Sequence, residues 1–272
     1  MTTKSLVTGA LFIVIAAVGV ARAQTPEQDA WGILEKGTAD SNGEERALAV
    51  RVLGLVPDDP RAIEMAETAL QDKDADVRLA GAAALGKMGA KGSTLKLHEL
   101  LKDTDAPVVI AAAHALKALG DPIAYEVYYA ILTGERKTGE GLMDQQKKLL
   151  HDPKKMAQLG VEGGVGFVPF GGAALTAFKM VRKDDISPVR AGAAAALASD
   201  PDAKSGQALV EAASDKSEIV RVAALDSIAL RNDASLLTAI VPMLKDEKNG
   251  VRYTAAAAVI RLSKIAKSVS TK

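Results

Sequence analysis

Apolar residues return along most of this chain at helical spacing, and the pattern breaks at regular intervals. Val77, Ala80, Gly81, Ala84, Leu85 and Met88 share one helical face, and Val251, Thr254, Ala255, Ala258, Val259 and Leu262 repeat that face near the C-terminus. A shorter apolar helix precedes each such segment, as in Leu237, Ile240, Val241 and Leu244. Breakers separate the pairs at Pro57 and Pro60, Gly89 and Gly92, Gly120 and Pro122, and Pro201. Pro107 and Pro188 stand at second-helix starts, where a missing amide costs little. The pattern predicts seven helical hairpins, at about 25–57, 58–90, 91–120, 121–152, 171–200, 201–231 and 232–266. A hairpin of this length cannot bury its apolar face alone, so the units must stack.

A polar spacing runs through the same units. An aspartate stands six positions before an arginine in Asp40…Arg46, Asp72…Arg78, Asp184…Arg190, Asp215…Arg221 and Asp246…Arg252. A sixth copy, Asp103…Val109, keeps the aspartate and loses the arginine. Seven positions further on lies an apolar residue: Leu53, Leu85, Leu116, Leu197, Ile228 or Val259. Steps of 32, 31, 81, 31 and 31 between the arginine positions identify a tandem repeat with one irregular interval. The series has two readings. One is a charged stripe that holds an anionic partner. The other is an internal ladder, each arginine bonded to loop aspartates of its own or an adjacent unit.

The run Asp72-Lys73-Asp74-Ala75-Asp76-Val77-Arg78 through Leu85 resembles the HEAT repeat, and more narrowly the short bacterial HEAT-like repeats also found in phycobilisome lyases. The resemblance covers residues 25–266 apart from the middle. It implies an all-α, right-handed α-solenoid and favours the internal ladder. It says little about function, because proteins with such repeats include transport scaffolds, bilin lyases and di-iron deoxyhypusine hydroxylases.

Composition narrows the classes. Cysteine is absent, which removes disulfides, thiolate metal sites and cysteine nucleophiles. Formal net charge is zero, so no basic excess points to nucleic acid. Lys4, the apolar run Leu6–Val20 and Ala21-Arg22-Ala23 before Gln24 read as a signal peptide over residues 1–23. The apolar run falls short of the roughly 20 residues that span a bilayer, although a retained anchor is the alternative. Cleavage removes Lys4 and Arg22 and no acid, leaving 32 basic against 34 acidic residues, a net charge of −2. The expected location is periplasmic or extracellular, with the array at 24–266 and a frayed tail at 267–272.

The middle departs from the repeat. Residues 121–152 read as a degenerate unit, a helix at Ile123–Leu132 pairing with another at Leu142–Leu150, and 153–170 as a glycine-rich apolar insertion. Aromatic residues, only 3% of the chain, gather around it: Tyr125, Tyr128, Tyr129, Phe167, Phe170 and Phe178. These six are the expected contact residues for a protein or peptide partner, since aromatic side chains dominate interface energetics. The bland alternative has the phenylalanines plug the gap left by the degenerate unit. A further alternative has residues 160–181 touch a membrane, which Glu162, Lys179 and six glycines oppose as a spanning helix.

Catalytic signatures are thin. His98-Glu99 is the single His-Glu pair, whereas the resemblance to hydroxylases would require several to hold two irons; neither His114 nor His151 has an adjacent glutamate. His98 and Glu99 are therefore expected on a solvated helix face. The segment Gly160–Gly172 lacks the Gly-Lys-Ser/Thr of a phosphate loop. No catalytic, cofactor or metal residue is expected. The reading is an exported, non-catalytic scaffold that binds its partner on the concave face formed by the second helices, near the insertion. Its alternatives are a cofactor-linked enzyme of the lyase or hydroxylase kind and a membrane-associated adaptor.

Overall fold

The computed structural model describes residues 25–134 and 186–270. These are all-helical, an α-solenoid of hairpins. Seven helices form the first part: α1 (Pro26–Thr38), α2 (Gly43–Val52), α3 (Pro60–Ala69), α4 (Ala75–Met88), α5 (Thr94–Leu100), α6 (Ala106–Ala118) and α7 (Ile123–Leu132). Five form the second: α8 (Ser187–Ala196), α9 (Ala203–Ala212), α10 (Glu218–Arg231), α11 (Leu237–Ile240) and α12 (Asn249–Ser270). Local chemistry sets the boundaries. Thr25 caps α1 with Gln28 answering in a capping box, Asn42, Asp59, Asp74 and Asp202 cap other helices, and Gly89 closes α4 at a φ of 70°.

One helix differs from its pattern. The apolar spacing of Leu237, Ile240, Val241 and Leu244 predicts a continuous first helix. Instead α11 gives way after Ile240 to a 3₁₀ segment, Val241–Lys245. Pro242 has no amide to donate and its ring crowds the preceding turn, which favours the tighter helix.

The units do not stack in chain order. The second helices α2, α4 and α6 pack in sequence, with α7 outermost against α6, and α8, α10 and α12 pack likewise. The two series then join: α12 lies against α1 and α2. In space the order is therefore α8, α10, α12, then α1 with α2, α4, α6 and α7. The first and last units of the sequence are neighbours in the middle, and among the described residues the outermost helices are α7 and α8. The expectation of an array running end to end with its break at the centre is corrected. The chain leaves one outer end at Gly134 and re-enters at the other at Ile186. The remainder of the degenerate unit after Gly134, the insertion 153–170, residues 171–185 and the signal segment 1–23 lie outside the described residues.

Burial records this order. Ala255, Ala256, Ala257 and Ala258 of α12 are all fully buried, which requires packing on every side of the helix. The matching run in α8 buries Ala194 and exposes Ala193, Ala195 and Ala196, as befits a helix with a neighbour on one side only. The last unit needs no polar cap because α1 and α2 cover it. The expected frayed tail is corrected for the same reason: α12 continues to Ser270, and Lys267 pairs with Glu27.

Specific contacts fix the junction. The Tyr253 ring of α12 is 5% exposed and sits over Gly37 of α1, where an added Cβ would lie 2.5 Å from Cε1. Its hydroxyl donates to Glu45 Oε2 at 3.3 Å. Arg261 donates to the Leu55 carbonyl at 2.8 Å, and Lys264 to the carbonyls of Pro57 and Asp58 at 3.2 and 2.6 Å. Leu55 ends the 3₁₀ turn that follows α2, and Pro57 and Asp58 lie in the loop beyond it, where carbonyls are left without helical partners. The junction also bends the stack. Lys87 of α4 meets Asp226 of α10 at 3.5 Å, although α2 and α12 intervene. With packed helices about 8–10 Å apart, such a contact forms only on the inner side of a sharp curve.

Candidate functional site

The Asp/Arg series forms one repeated device, and the six-residue spacing explains it. In each complete rung the arginine reaches back to its own loop and forward to the next. Arg78 Nη1 donates to the carbonyls of Asp72 and Lys73 at 2.9 and 3.3 Å, while Nε and Nη2 grip Asp103 at 2.7 and 2.9 Å and Nη2 adds Asp105 at 2.8 Å. Arg46 does the same with the carbonyls of Asp40 and Ser41 and a bidentate pair to Asp72 at 2.8 and 2.7 Å. Arg221 holds the Asp215 carbonyl at 2.8 Å and Asp246 at 2.9 Å through Nη2; its Nε lies 2.9 Å from the same carboxylate but too far off line to donate. Arg190 pairs with Asp215, and Arg252 donates to the Asp246 carbonyl at 2.6 Å. Asp184 lies outside the described residues.

Each aspartate is thus a node. At Asp72, Asp215 and Asp246 the carbonyl serves the unit's own arginine, one carboxylate oxygen accepts the amide two residues on, and the carboxylate receives the preceding unit's arginine; Asp103 does the last two, its unit having Val109 in place of the arginine. Asp40 accepts the Asn42 amide in the same way at the start of the series. The bonds from Arg46 hold the Asp72 carboxyl below its ordinary range against the opposing effect of burial. Burial pushes the Asp103 carboxyl up, and bonds from Arg78 and the loop amides more than offset it. Asp215 is lowered first by the Ser217 amide and further by Arg190. These guanidinium groups are spent on the fold. Val109, fully buried, needs no partner and ends the ladder beside α7.

Helix α7 carries the aromatic face. Ala124 and Val127 face the stack, and Tyr128 shares a 2.8 Å hydrogen bond with His114 Nδ1 of α6. Burial, then Lys117, lowers the His114 pKa, and burial, then Tyr125, raises that of Tyr128, so both are neutral at pH 7. Tyr125 stands edge-on to Tyr128 with ring centres 6.4 Å apart. Tyr125 and Tyr129 are each 62% exposed and Leu132 86%, at the i, i+4, i+7 spacing of one outward face. Two of the three expected tyrosines therefore present a surface and one anchors it. They sit on a first helix, not on the second-helix face, at an end of the described stack. Phe167, Phe170 and Phe178 lie outside the described residues.

Other candidates fall into place as structure. His98 bonds Asp121 at 2.8 Å and Glu99 pairs with Lys102 at 2.9 Å. Asp121 in turn accepts the Ile123 amide at 3.0 Å, so His98 braces the start of α7 rather than lying free on a solvated face. Among the described residues no group of three His, Asp or Glu is placed to hold a metal ion, and no helix is long and apolar enough to cross a membrane.

Two features escaped the sequence reading. One is the Tyr253 junction. The other is the outer face of α8, with Ile186 62% and Val189 44% exposed. Burial of a whole alanine run would have signalled the junction, but burial is not written in a run of alanines.

The family comparison agrees with the fold. The HEAT repeat family profile matches residues 33–117. No curated protein matches the chain significantly. Among solved structures, the CpcE–CpcF complex of phycocyanin lyase from Nostoc aligns at 20% identity over 95% of this chain and 100% of that one, with a TM-score of 0.33. Human deoxyhypusine hydroxylase aligns at 18% identity over 87% and 85%, with a TM-score of 0.30. A designed armadillo repeat protein aligns at 17% identity over 88% and 100%, with a TM-score of 0.26. Likeness at this level bears on neither activity nor partner.

Proposed function

We propose that this chain is an exported, non-catalytic scaffold that binds a protein or peptide through the outer face of α7. The observation that supports the reading is the stripe of Tyr125, Tyr129 and Leu132, exposed on a stack whose core is mostly aliphatic. Large aromatic groups held rigidly by their helix bury much area at little entropic cost, which is the usual make-up of an interface anchor. The His114–Tyr128 bond holds that helix against α6, and the Tyr125 ring stands edge-on to Tyr128 within it. The second-helix face is a poorer candidate, because the ion pair of Lys87 with Asp226 bridges its inner side and the ladder occupies the loop arginines.

The test is a Tyr125→Ser/Tyr129→Ser double variant of the full mature chain, used as bait on envelope extract. Capture should fall at least several-fold while circular dichroism stays helical. Undiminished capture removes the α7 reading. Export rests on Lys4, the apolar run to Val20 and Ala21-Arg22-Ala23. Intact mass of protein recovered from its host should show Gln24 as the first residue, and retention of Met1 would contradict cleavage.

A further inference from the structure

Two kinds of contact tie together the two arms of the stack, α1–α7 and α8–α12, and they differ in strength. The first is the seam of α1 and α2 with α12, where Tyr253 is buried over Gly37 and its hydroxyl meets Glu45. The second lies on the inner side of the curve. There Lys87 of α4 and Asp226 of α10 stand 3.5 Å apart, with side chains still 43% and 40% exposed. The Lys87 stem is seated on the 3₁₀ turn Leu53–Leu55 that follows α2, where a Cβ at Gly54 would lie 3.1 Å from its Cδ. Arg261 of α12 reaches the same turn, donating to the Leu55 carbonyl at 2.8 Å. Its Nε donates at 2.8 Å to Asn232, the residue that closes α10. Burial lowers the Arg261 pKa and the Asp226 charge raises it. One acid on α10 thus acts on two cations, one from α4 and one from α12, beside a single turn of the first unit. The curvature of a helical stack is the sum of small rotations at its interfaces. Lys87 and Asp226 span the α4–α2, α2–α12 and α12–α10 interfaces at once, which gives this pair leverage over the whole bend.

We propose that Lys87, Asp226 and Arg261 form a salt-dependent latch: closed, it holds the two arms in their sharp curve about the Tyr253 seam, and released, it lets them swing apart. A charge pair this exposed is weak, so it tips a balance between two curvatures and does not cement one; it favours the closed form by roughly twofold to fivefold. Opposite charges act on each other over about 10 Å at 0.1 M salt and over about 3 Å at 1 M. The latch therefore loosens as ionic strength rises, while the seam, buried and locked by shape, holds. It operates whether or not α7 binds a partner.

The test measures the mouth of the curve in the full mature chain. The chain has no cysteine, so two introduced ones take spin labels without background. Ala118 of α6 and Ala195 of α8 are exposed, and they occupy the repeat positions of Lys87 and Asp226 one helix further out in each arm. In Ala118→Cys/Ala195→Cys, double electron–electron resonance should find a short and a long separation, and the ratio of long to short should rise roughly twofold or more between low salt and about 1 M salt. Lys87→Met, which keeps the stem and removes the charge, should give the same shift at low salt, and Lys87→Arg should not. Asp226→Lys gathers three cations and should make the long separation dominant. Circular dichroism should stay helical throughout, since Lys87 and Asp226 are exposed, and the salt series on the labelled chain decides the matter by itself should a latch variant unfold. A distribution that ignores both salt and Asp226→Lys overturns the latch. A shift as large in Lys87→Arg as in Lys87→Met also overturns it, because packing of the stem and not charge would then set the curve.

Discussion

Replacement of Arg78 by leucine tests the ladder at its best-formed rung. The side chain is 14% exposed and Asp103, its main partner, 8%. Leucine removes three donations to carboxylates and two to loop carbonyls, and leaves the Asp103 charge buried with the Asp105 and Thr104 amides against it. Breaking a buried pair by removing one partner costs about 3–5 kcal/mol. For an array of this size, that corresponds to a fall of roughly 6–20 °C in melting temperature. Adding Asp103→Asn should recover part of the loss, since asparagine sheds the stranded charge and still accepts the Asp105 amide. The sign of the pH dependence follows from the lowered Asp103 carboxyl. A depressed carboxyl contributes stability above its unfolded pKa and loses it as pH falls through the folded value. The gap between wild type and Arg78→Leu should therefore be full at pH 7 and narrow toward pH 3. Thermal and urea unfolding followed by circular dichroism measure it. A loss below about 0.5 kcal/mol, the behaviour of an exposed pair, would refute the view that the guanidinium joins units.

Two further substitutions probe the junction. Gly37→Val drives a side chain into the Tyr253 ring and Ala49, and should cost about 1–3 kcal/mol and lower protection from hydrogen exchange in α1 and α12; an unchanged melting curve would contradict the close seat. Burial, then Glu45, pushes the Tyr253 hydroxyl up to about 12, so this residue should be the last tyrosine to titrate by ultraviolet absorbance. A raised pKa stabilises the fold below the unfolded value and loses that contribution as pH rises through the folded one. In Tyr253→Phe this late step should vanish, and its persistence would reassign the step to another tyrosine.

Much of this fold is legible in the residues. The helical period, the breakers and the Asp/Arg spacing give the hairpins and their boundaries, because local propensity and the buried face dictate both. Pro242 shows where local chemistry overrides a good apolar pattern. The order of units is not legible, for a physical reason: an alanine-rich face packs as readily on one such face as on another. Ala193–Ala196 and Ala255–Ala258 read alike, yet one helix ends the stack and the other is its centre. What singles out the true neighbour is a lock of shape, Tyr253 over Gly37, between residues 216 positions apart. The site divides in the same way. Tyr125, Tyr128 and Tyr129 stand out by composition, but only the packing of α7 on α6 decides which of them faces outward.

Zero-length carbodiimide coupling of the dilute monomer tests the central claim, that the first and last units of the sequence lie side by side. The reagent joins amines to carboxylates in direct contact, and the chain offers two diagnostic pairs, Lys267 with Glu27 and Lys87 with Asp226. The account expects peptide mapping of the monomer band to recover both amide links. Failure to find either, together with links that tie residues near Gly134 to residues near Ile186, would place the units in chain order and contradict it.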